Sequence, residues 1–327
     1  MDGPTLVERY FAMVRMRRFE EACLAGVSTR EIHGELHIGI GQEAVAAAMI
    51  GTLRDDDALV STHRNHLHAL AKGVPAQPML AEIYERATGL CGGFGGHMHL
   101  FDLERRFSTT GIVGSTLPVA LGHAYAARIE GRDSVAVGVT GDGGANTGGF
   151  HESLNMAGAW RLPLVVLIEN NEWAISVPFE ESTATPTLAE RAAAYGAWGR
   201  RVDGLDVEAV AEAFGEAVAH ARAGHGPAVL EATCYRFRGH YEGDLDLYRP
   251  AGEKDRRRQE QDPLPLTRER ILARGAATGA ELDAGEEEVA VAIAAMLAAV
   301  RADPMPDPAT ARDHVFAGAA TQKGLIR

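Results

Sequence analysis

Two patterns of apolar positions follow one another along this chain. Thr5-Leu6-Val7-Glu8 has the spacing of a capping box, and an amphipathic run continues to about Gly26, which predicts an N-terminal helix. From about residue 58 the pattern becomes short apolar runs separated by helical stretches. The runs at Ala58–Ser61, 135–140, 164–169, 200–202 and 228–235 are mostly continuous rather than alternating in polarity. Strands covered on both faces read this way, as in a parallel sheet between two layers of helices. Helices are expected between them over 115–130, 147–160 and 206–223, the last with Asp206 as N-cap and Gly224 just past its end. This alternation predicts a doubly wound α/β fold with a mostly parallel sheet, whose ligand sits at the carboxyl ends of the strands.

Residues 253–265 interrupt the rhythm. Lys254-Asp255-Arg256-Arg257-Arg258 precedes Pro263 and Pro265, and the charge run reads as a solvated surface segment. Beyond it, an alanine-rich helix over 280–302 is expected to pack on the main domain, and the tail from Asp303, with Pro304, Pro306 and Pro308, starts loosely. The expected organisation is an α/β domain with an N-terminal helical segment over 1–252, then a connector and C-terminal helical extension over 253–327.

Composition narrows the class without identifying it. The chain has 327 residues, 46% hydrophobic and 24% charged, which suits a soluble globular protein. No apolar run approaches the roughly 20 residues needed to span a bilayer. The start, Met1-Asp2-Gly3-Pro4-Thr5, lacks the basic and apolar regions of a signal peptide. Cys23, Cys91 and Cys234 show no paired spacing and fit free thiols, so a cytoplasmic location is expected and no membrane partner. A net charge of −13 opposes binding to nucleic acid, but not to a small anion held by backbone amides and a few local cations.

The chemistry concentrates at Gly141-Asp142-Gly143-Gly144-Ala145-Asn146, between an expected strand and an expected helix. Strand, glycine-rich turn and helix N-terminus together form an anion site, because unpaired amides and the helix dipole face the ligand. A carboxylate inside such a turn would repel phosphate unless a divalent cation stood between them. Magnesium suits that role, taking a few protein oxygens and filling its octahedron with phosphate and water. The next strand ends in Asn170-Asn171-Glu172-Trp173, and the stretch 144–169 is long enough for one helix and one returning strand. Asp142 and Asn171 are therefore expected at the carboxyl ends of neighbouring strands. Other readings of the turn fail on spacing. Asn146 stands where a dinucleotide fingerprint needs its third glycine, and Gly144 and Thr147 stand where an EF-hand loop needs an oxygen ligand and a glycine.

The pair of motifs resembles the thiamine diphosphate signature, and the chain resembles the alpha subunits of thiamine diphosphate-dependent 2-oxo acid dehydrogenases. Further segments carry the likeness: His37-Ile38-Gly39-Ile40-Gly41-Gln42-Glu43, Ser61-Thr62-His63-Arg64, Gly111-Ile112-Val113-Gly114, and Tyr235-Arg236 with Gly239-His240. Within that family the acetoin dehydrogenase branch is most similar, through Ser61-Thr62-His63-Arg64, Phe150-His151-Glu152-Ser153-Leu154-Asn155 and Gly239-His240-Tyr241-Glu242-Gly243-Asp244.

The resemblance implies a thiamine diphosphate-binding fold and a set of roles. Asp142, the Asn171 side chain and the main-chain oxygen of Trp173 would hold Mg2+, while Gly141, Gly143 and Gly144 approach the diphosphate. His63 and Arg64 match the diphosphate-binding pair, where a forked permanent cation is physically apt. Gly111, Ile112 and Val113 match a segment against the aminopyrimidine. His37, His66 and His240 match catalytic histidines around the thiazolium and substrate, with His240 also touching cofactor; imidazole can move a proton near neutral pH. A zinc site at His63, His66 and His68 is not expected, because no cysteine or carboxylate lies at ligand spacing nearby.

The cofactor's ylid adds to a carbonyl carbon and then serves as an electron sink. The glutamate that promotes ylid formation comes, in this family, from a separate beta subunit. The resemblance thus implies an α2β2 assembly with the cofactor at the interface, acting on acetoin or a pyruvate-like 2-oxo acid and passing the acyl unit to a lipoyl acyltransferase component. A stand-alone carboligase or decarboxylase, and a catalytically silent cofactor-binding subunit, are the alternatives. Departures from the family pattern bear on that choice. Leu67 replaces a usual glycine, Asn65 stands just before His66, Phe94 and His97 replace a lysine and a serine, and Ser108-Thr109-Thr110 precedes Gly111. Tyr241 occupies a position where pyruvate enzymes often carry a phosphorylatable serine, so that control is unavailable here.

Overall fold

The computed structural model describes residues 5–314. Among the described residues nine strands form in chain order: Ala58–Ser61 (β1), Phe101–Asp102 (β2), Phe107–Thr109 (β3), Ala136–Gly141 (β4), Leu164–Asn170 (β5), Trp173–Ala174 (β6), Val177–Pro178 (β7), Trp198–Asp203 (β8) and Ala228–Thr233 (β9). Seven of them make one sheet in the order β2-β3-β1-β4-β5-β9-β8, parallel throughout except for the antiparallel β2 at its edge, and β6 and β7 form a small hairpin. The fold is therefore the doubly wound, mostly parallel α/β sheet that the apolar pattern predicts.

The continuous apolar runs follow from burial on both faces. In β5, Leu164, Val166 and Ile168 join one core, while Val165 and Leu167 join the other. Helices Thr116–Ile129 and Gly148–Trp160 cover the first face through Leu117, Ala120, Phe150 and Leu154. Helices Leu6–Ser28, Glu43–Ala48 and Val207–Arg222 cover the second through Met13, Phe19, Val45, Val210 and Phe214. Both expected caps form: Thr5 and Glu8 close a capping box, and the Asp206 carboxylate accepts from the amides of Glu208 (3.1 Å) and Ala209 (3.2 Å).

Several elements depart from expectation. The charged stretch after residue 252 is helical, as Glu253–Gln261 followed by Pro263–Ala273. Asp262 caps the second helix and its Pro263 occupies the first turn, where a missing N–H costs nothing. The charge run is nonetheless solvated, since the first of these helices buries none of its residues. Arg17 ties this region to the core, pairing with Glu43 (2.5 Å) and Asp262 (2.9 Å) inside the protein. Helix Gly279–Ala302 forms as expected and packs on Leu6–Ser28. Strands β2 and β3, and helices His66–Lys72 and Ala76–Ile83, are too short to show a period in the sequence. Among the described residues no helix is long and apolar enough to cross a membrane. The reading of Met1–Pro4 and the end of the C-terminal extension, 315–327, lie outside the described residues.

Candidate active site

Parallel strands point their carboxyl ends the same way, so the loops after β1, β3, β4, β5 and β9 converge. They enclose a cavity of about 310 Å3 lined by His63 and Arg64, Ile112 and Val113, Gly141 to Gly144, Asn171 and Trp173, and Arg236 and His240.

One wall is built of oxygen acceptors. Asp142 and Asn171 are both buried, and Asp142 Oδ2 and Asn171 Oδ1 have no protein hydrogen-bond partner. Burial pushes the Asp142 carboxyl up to about 6, against the opposing pull of backbone amides at Asp142 and Asn171. The Asn pair divides its labour. Asn170 Nδ2 donates to Glu231 (2.7 Å), and the same buried carboxylate accepts from the amides of Leu188 (2.8 Å) and Ala189 (2.9 Å). Anchored there, Asn170 fixes the strand end and Asn171 takes the cavity. Glu172 and Ile175 then adopt positive φ, 69° and 57°, which folds the chain back around Trp173, a lining residue of the cavity. The Trp173 carbonyl accepts a long contact from Arg236 (3.5 Å), which leaves a lone pair available. At Gly143 a Cβ would lie 2.6 Å from the Ala174 Cβ, and at Gly144 it would collide with the Thr140 hydroxyl, so only glycine lets the turn close over the cavity.

Two uncompensated, buried, hard oxygen donors facing one cavity suit a divalent cation such as Mg2+. The residues present therefore fit a metal-bound diphosphate, and the cation would relieve the cost of the buried Asp142 charge.

A second part of the lining, His63 and His240, belongs to a cluster of imidazoles. His37 lies edge-on to His63 (ring centroids 4.6 Å) and His240 (5.0 Å) and stacks on His97 (5.3 Å). Burial, then the Arg64 guanidinium, holds His37 and His63 down to about 2 and His240 to about 4, so all three are neutral near pH 7. Arg64 is itself buried, donating to the carbonyls of Ile38 (2.8 Å) and His240. One ring nitrogen each of His37, His63 and His240 lie within 4.8 Å of one another, a spacing a metal could use. The permanent charge of Arg64 against this cluster opposes a dication there.

The sequence-expected residues are not all brought to the cavity. Asp142, Asn171, Trp173, Gly141, Gly143, Gly144, His63, Arg64, Ile112, Val113 and His240 line it, whereas Gly111 lies beside it and His37 stands one ring behind. His66 turns away: it is fully buried, with Nδ1 on the Glu20 carboxylate (2.8 Å). His68 also points elsewhere, bridging Ser61 (2.9 Å) and Glu169 (3.1 Å), so the run His63, His66, His68 does not converge.

Arg236 is the main functional group that sequence reasoning left without a role. It is buried at the cavity and braced by the Ile175 carbonyl (2.9 Å) and the Tyr248 hydroxyl (2.8 Å), and Tyr248 in turn donates to Asp244 (2.7 Å). Asp244 also accepts the His240 amide (2.7 Å), so one carboxylate sets both the arginine and the histidine. The signal was the position of Arg236 just past β9, at the ligand end of a parallel strand.

Comparison with known proteins agrees with this geometry. The profile of the family described as "Dehydrogenase E1 component" matches residues 11–309. The alpha subunit of acetoin:2,6-dichlorophenolindophenol oxidoreductase from Cupriavidus necator is 40% identical over 309 residues, covering 94% of this chain and 93% of that one. The pyruvate dehydrogenase E1 component alpha subunit from Rhizobium meliloti is 39% identical over 302 residues, 92% of this chain and 87% of that one. The Bacillus subtilis acetoin oxidoreductase alpha subunit is 41% identical over 256 residues, 78% and 77% of the two chains. Matched nearly end to end by such relatives, the chain belongs to the dehydrogenase E1 component family, which uses thiamine diphosphate.

Proposed function

We propose that this chain is the alpha subunit of a first-component dehydrogenase that cleaves acetoin or decarboxylates a pyruvate-like 2-oxo acid, and that it works as an α2β2 assembly with a lipoyl acyltransferase component as acyl acceptor. The observation that carries this reading is the pair of buried oxygens without partners, Asp142 Oδ2 and Asn171 Oδ1, facing one cavity from adjacent parallel strands of an E1-family chain. The relatives named after acetoin and pyruvate support both substrate classes.

In this reading Asp142, Asn171 and the Trp173 carbonyl would hold Mg2+, which would neutralise part of the diphosphate's charge. Gly143 and Gly144 would leave room for the diphosphate close to the backbone, and Arg64 and Arg236 would offset its remaining charge. Bound thiamine diphosphate supplies the carbon nucleophile and the electron sink. His240 and His63, neutral at the cavity wall, can donate to a developing oxyanion or accept a hydroxyl proton. Ile112, Val113 and Ile175 are exposed apolar groups at or beside the cavity, with Ile112 71% accessible. A beta subunit seated on them would cover the cofactor and exclude water.

The test is reconstitution with a beta-type partner, thiamine diphosphate and Mg2+, assayed against acyloins and 2-oxo acids with lipoamide or a dye as acceptor. Turnover is expected only with partner, cofactor and metal together. Full turnover by this chain alone, or turnover indifferent to the cofactor, contradicts the proposal.

A further inference from the structure

The helix Glu253–Gln261 carries no apolar residue, yet one of its faces is turned toward the protein. Glu253, Lys254, Arg257 and Gln261 are partly buried, at the spacing of a single helical face, while Arg256 and Arg258 are exposed. The inward side chains reach loops that shape the cavity. Glu253 accepts the hydroxyl of the fully buried Tyr235, just past β9. Lys254 pairs with the buried Asp246 (2.9 Å), in the loop that follows His240, and Arg257 pairs with Glu172 (2.6 Å).

Glu172 is where this grip bears on the cavity. It stands between Asn171 and Trp173, both lining residues, with φ at 69°. A residue with a Cβ is disfavoured in this left-handed region, which glycine enters freely. Backbone bonds close the turn on both sides, since the Glu172 amide donates to Asn170 Oδ1 (3.2 Å) and its carbonyl accepts the Phe179 amide (3.0 Å). The Arg257 guanidinium fixes the side chain, which a relaxing backbone would swing away. Arg257 is itself held: Nη1 donates to Gln261 (3.1 Å), and its guanidinium lies 5.1 Å from the Tyr235 ring centroid. The neighbouring Trp173 ring is held from the loop before the helix, with the Arg249 guanidinium 5.2 Å from its centroid.

We propose that Arg257 is a positioning residue: through Glu172 it keeps the turn 171–173 in the conformation that lines the cavity, so that helix Glu253–Gln261 is a polar clasp on the metal site. Its effect on binding rests on the thiamine diphosphate and Mg2+ reading; its effect on the turn does not.

The test is thiamine diphosphate binding to the assembly with its partner subunit, titrated with Mg2+. Arg257→Ala should raise the half-saturating Mg2+ concentration by about tenfold, as for loss of a group that orients a metal ligand. The melting temperature should stay near the parent's, because a partly exposed ion pair adds little to overall stability. Glu172→Ala breaks the pair from the other side and should match Arg257→Ala. Glu172→Gly should stay within about threefold of the parent, because glycine takes a positive φ without help. Adding Arg257→Ala to Glu172→Gly should then cost nothing further. Arg258→Ala, on the exposed face, should behave as the parent does. In the cofactor-free assembly, amide hydrogen exchange over 172–174 should speed up in Arg257→Ala and not in Arg258→Ala. An unchanged Mg2+ requirement in Arg257→Ala, or an equal loss in Glu172→Gly, overturns the proposal. A parent whose cofactor binding ignores Mg2+ sinks the metal reading, and hydrogen exchange then decides whether the clasp holds the turn.

Discussion

The two walls of the cavity solve opposite electrostatic problems. On one, Asp142 and Asn171 present buried oxygens that no protein donor satisfies. On the other, His63 and His240 line the cavity with His37 and His97 packed behind them and Arg64 alongside, and burial keeps every ring neutral. The first wall carries an unrelieved burial cost that a cation would remove. The second is stable alone and would be spoiled by extra charge. In the proposed function, binding and proton handling would fall to these two different chemical materials.

The largest effect is expected on the histidine side. His240→Ala should lower kcat by roughly a hundredfold or more while the cofactor dissociation constant moves only a few-fold, the pattern of a group acting in proton transfer. Steady-state kinetics beside a binding titration would separate the two. An equal loss of affinity and turnover would place His240 on the binding wall instead.

The cofactor-free protein offers a second, smaller test, because the walls respond to pH in opposite directions. The folded chain holds the Asp142 proton more tightly than the ordinary carboxyl does, up to about 6. Ionised Asp142 therefore costs stability above pH 6, and the cost fades as pH falls toward the ordinary value of about 4. The histidines are pushed down, so the unfolded chain takes up protons below about 6.5 that the folded one refuses, and stability falls from there. With His37, His63, His97 and His240 set against one carboxyl, melting temperature should drop between pH 7 and pH 5. Asp142→Asn removes the carboxyl's contribution alone. It should stabilise the cofactor-free protein by about 3 kcal/mol at pH 8 and by about half that at pH 5. A pH-independent gain in thermal melts would contradict the assignment of a charge cost to Asp142.

The difference between the walls also explains what could be read in the sequence. The oxygen wall comes from consecutive strand ends, β4 and β5, so the turn 141–144 and the pair Asn170-Asn171 stand at a spacing that the fold class itself dictates. The apolar runs were legible for the same reason: Leu164 to Ile168 are covered on both faces and leave no polar alternation. The histidine wall gathers residues from 37, 63, 97 and 240, and no local pattern links them. Neighbours in sequence were misleading there, since His66 and His68 follow His63 yet turn to Glu20 and Glu169. The helices after residue 252 were hidden by charge and proline, because the first buries none of its residues and so needs no apolar stripe, and a proline in the first turn of the second is no obstacle.

In the proposed function Asp142 and Asn171 hold the cofactor through a metal ion. The most direct measurement is the dissociation constant of thiamine diphosphate as a function of Mg2+ concentration, for the parent assembly and for Asp142→Ala. The parent should bind far more tightly as Mg2+ rises, and Asp142→Ala should lose both that dependence and on the order of a hundredfold in affinity. A variant that keeps the parent's affinity and its response to Mg2+ would show that the cofactor is held elsewhere.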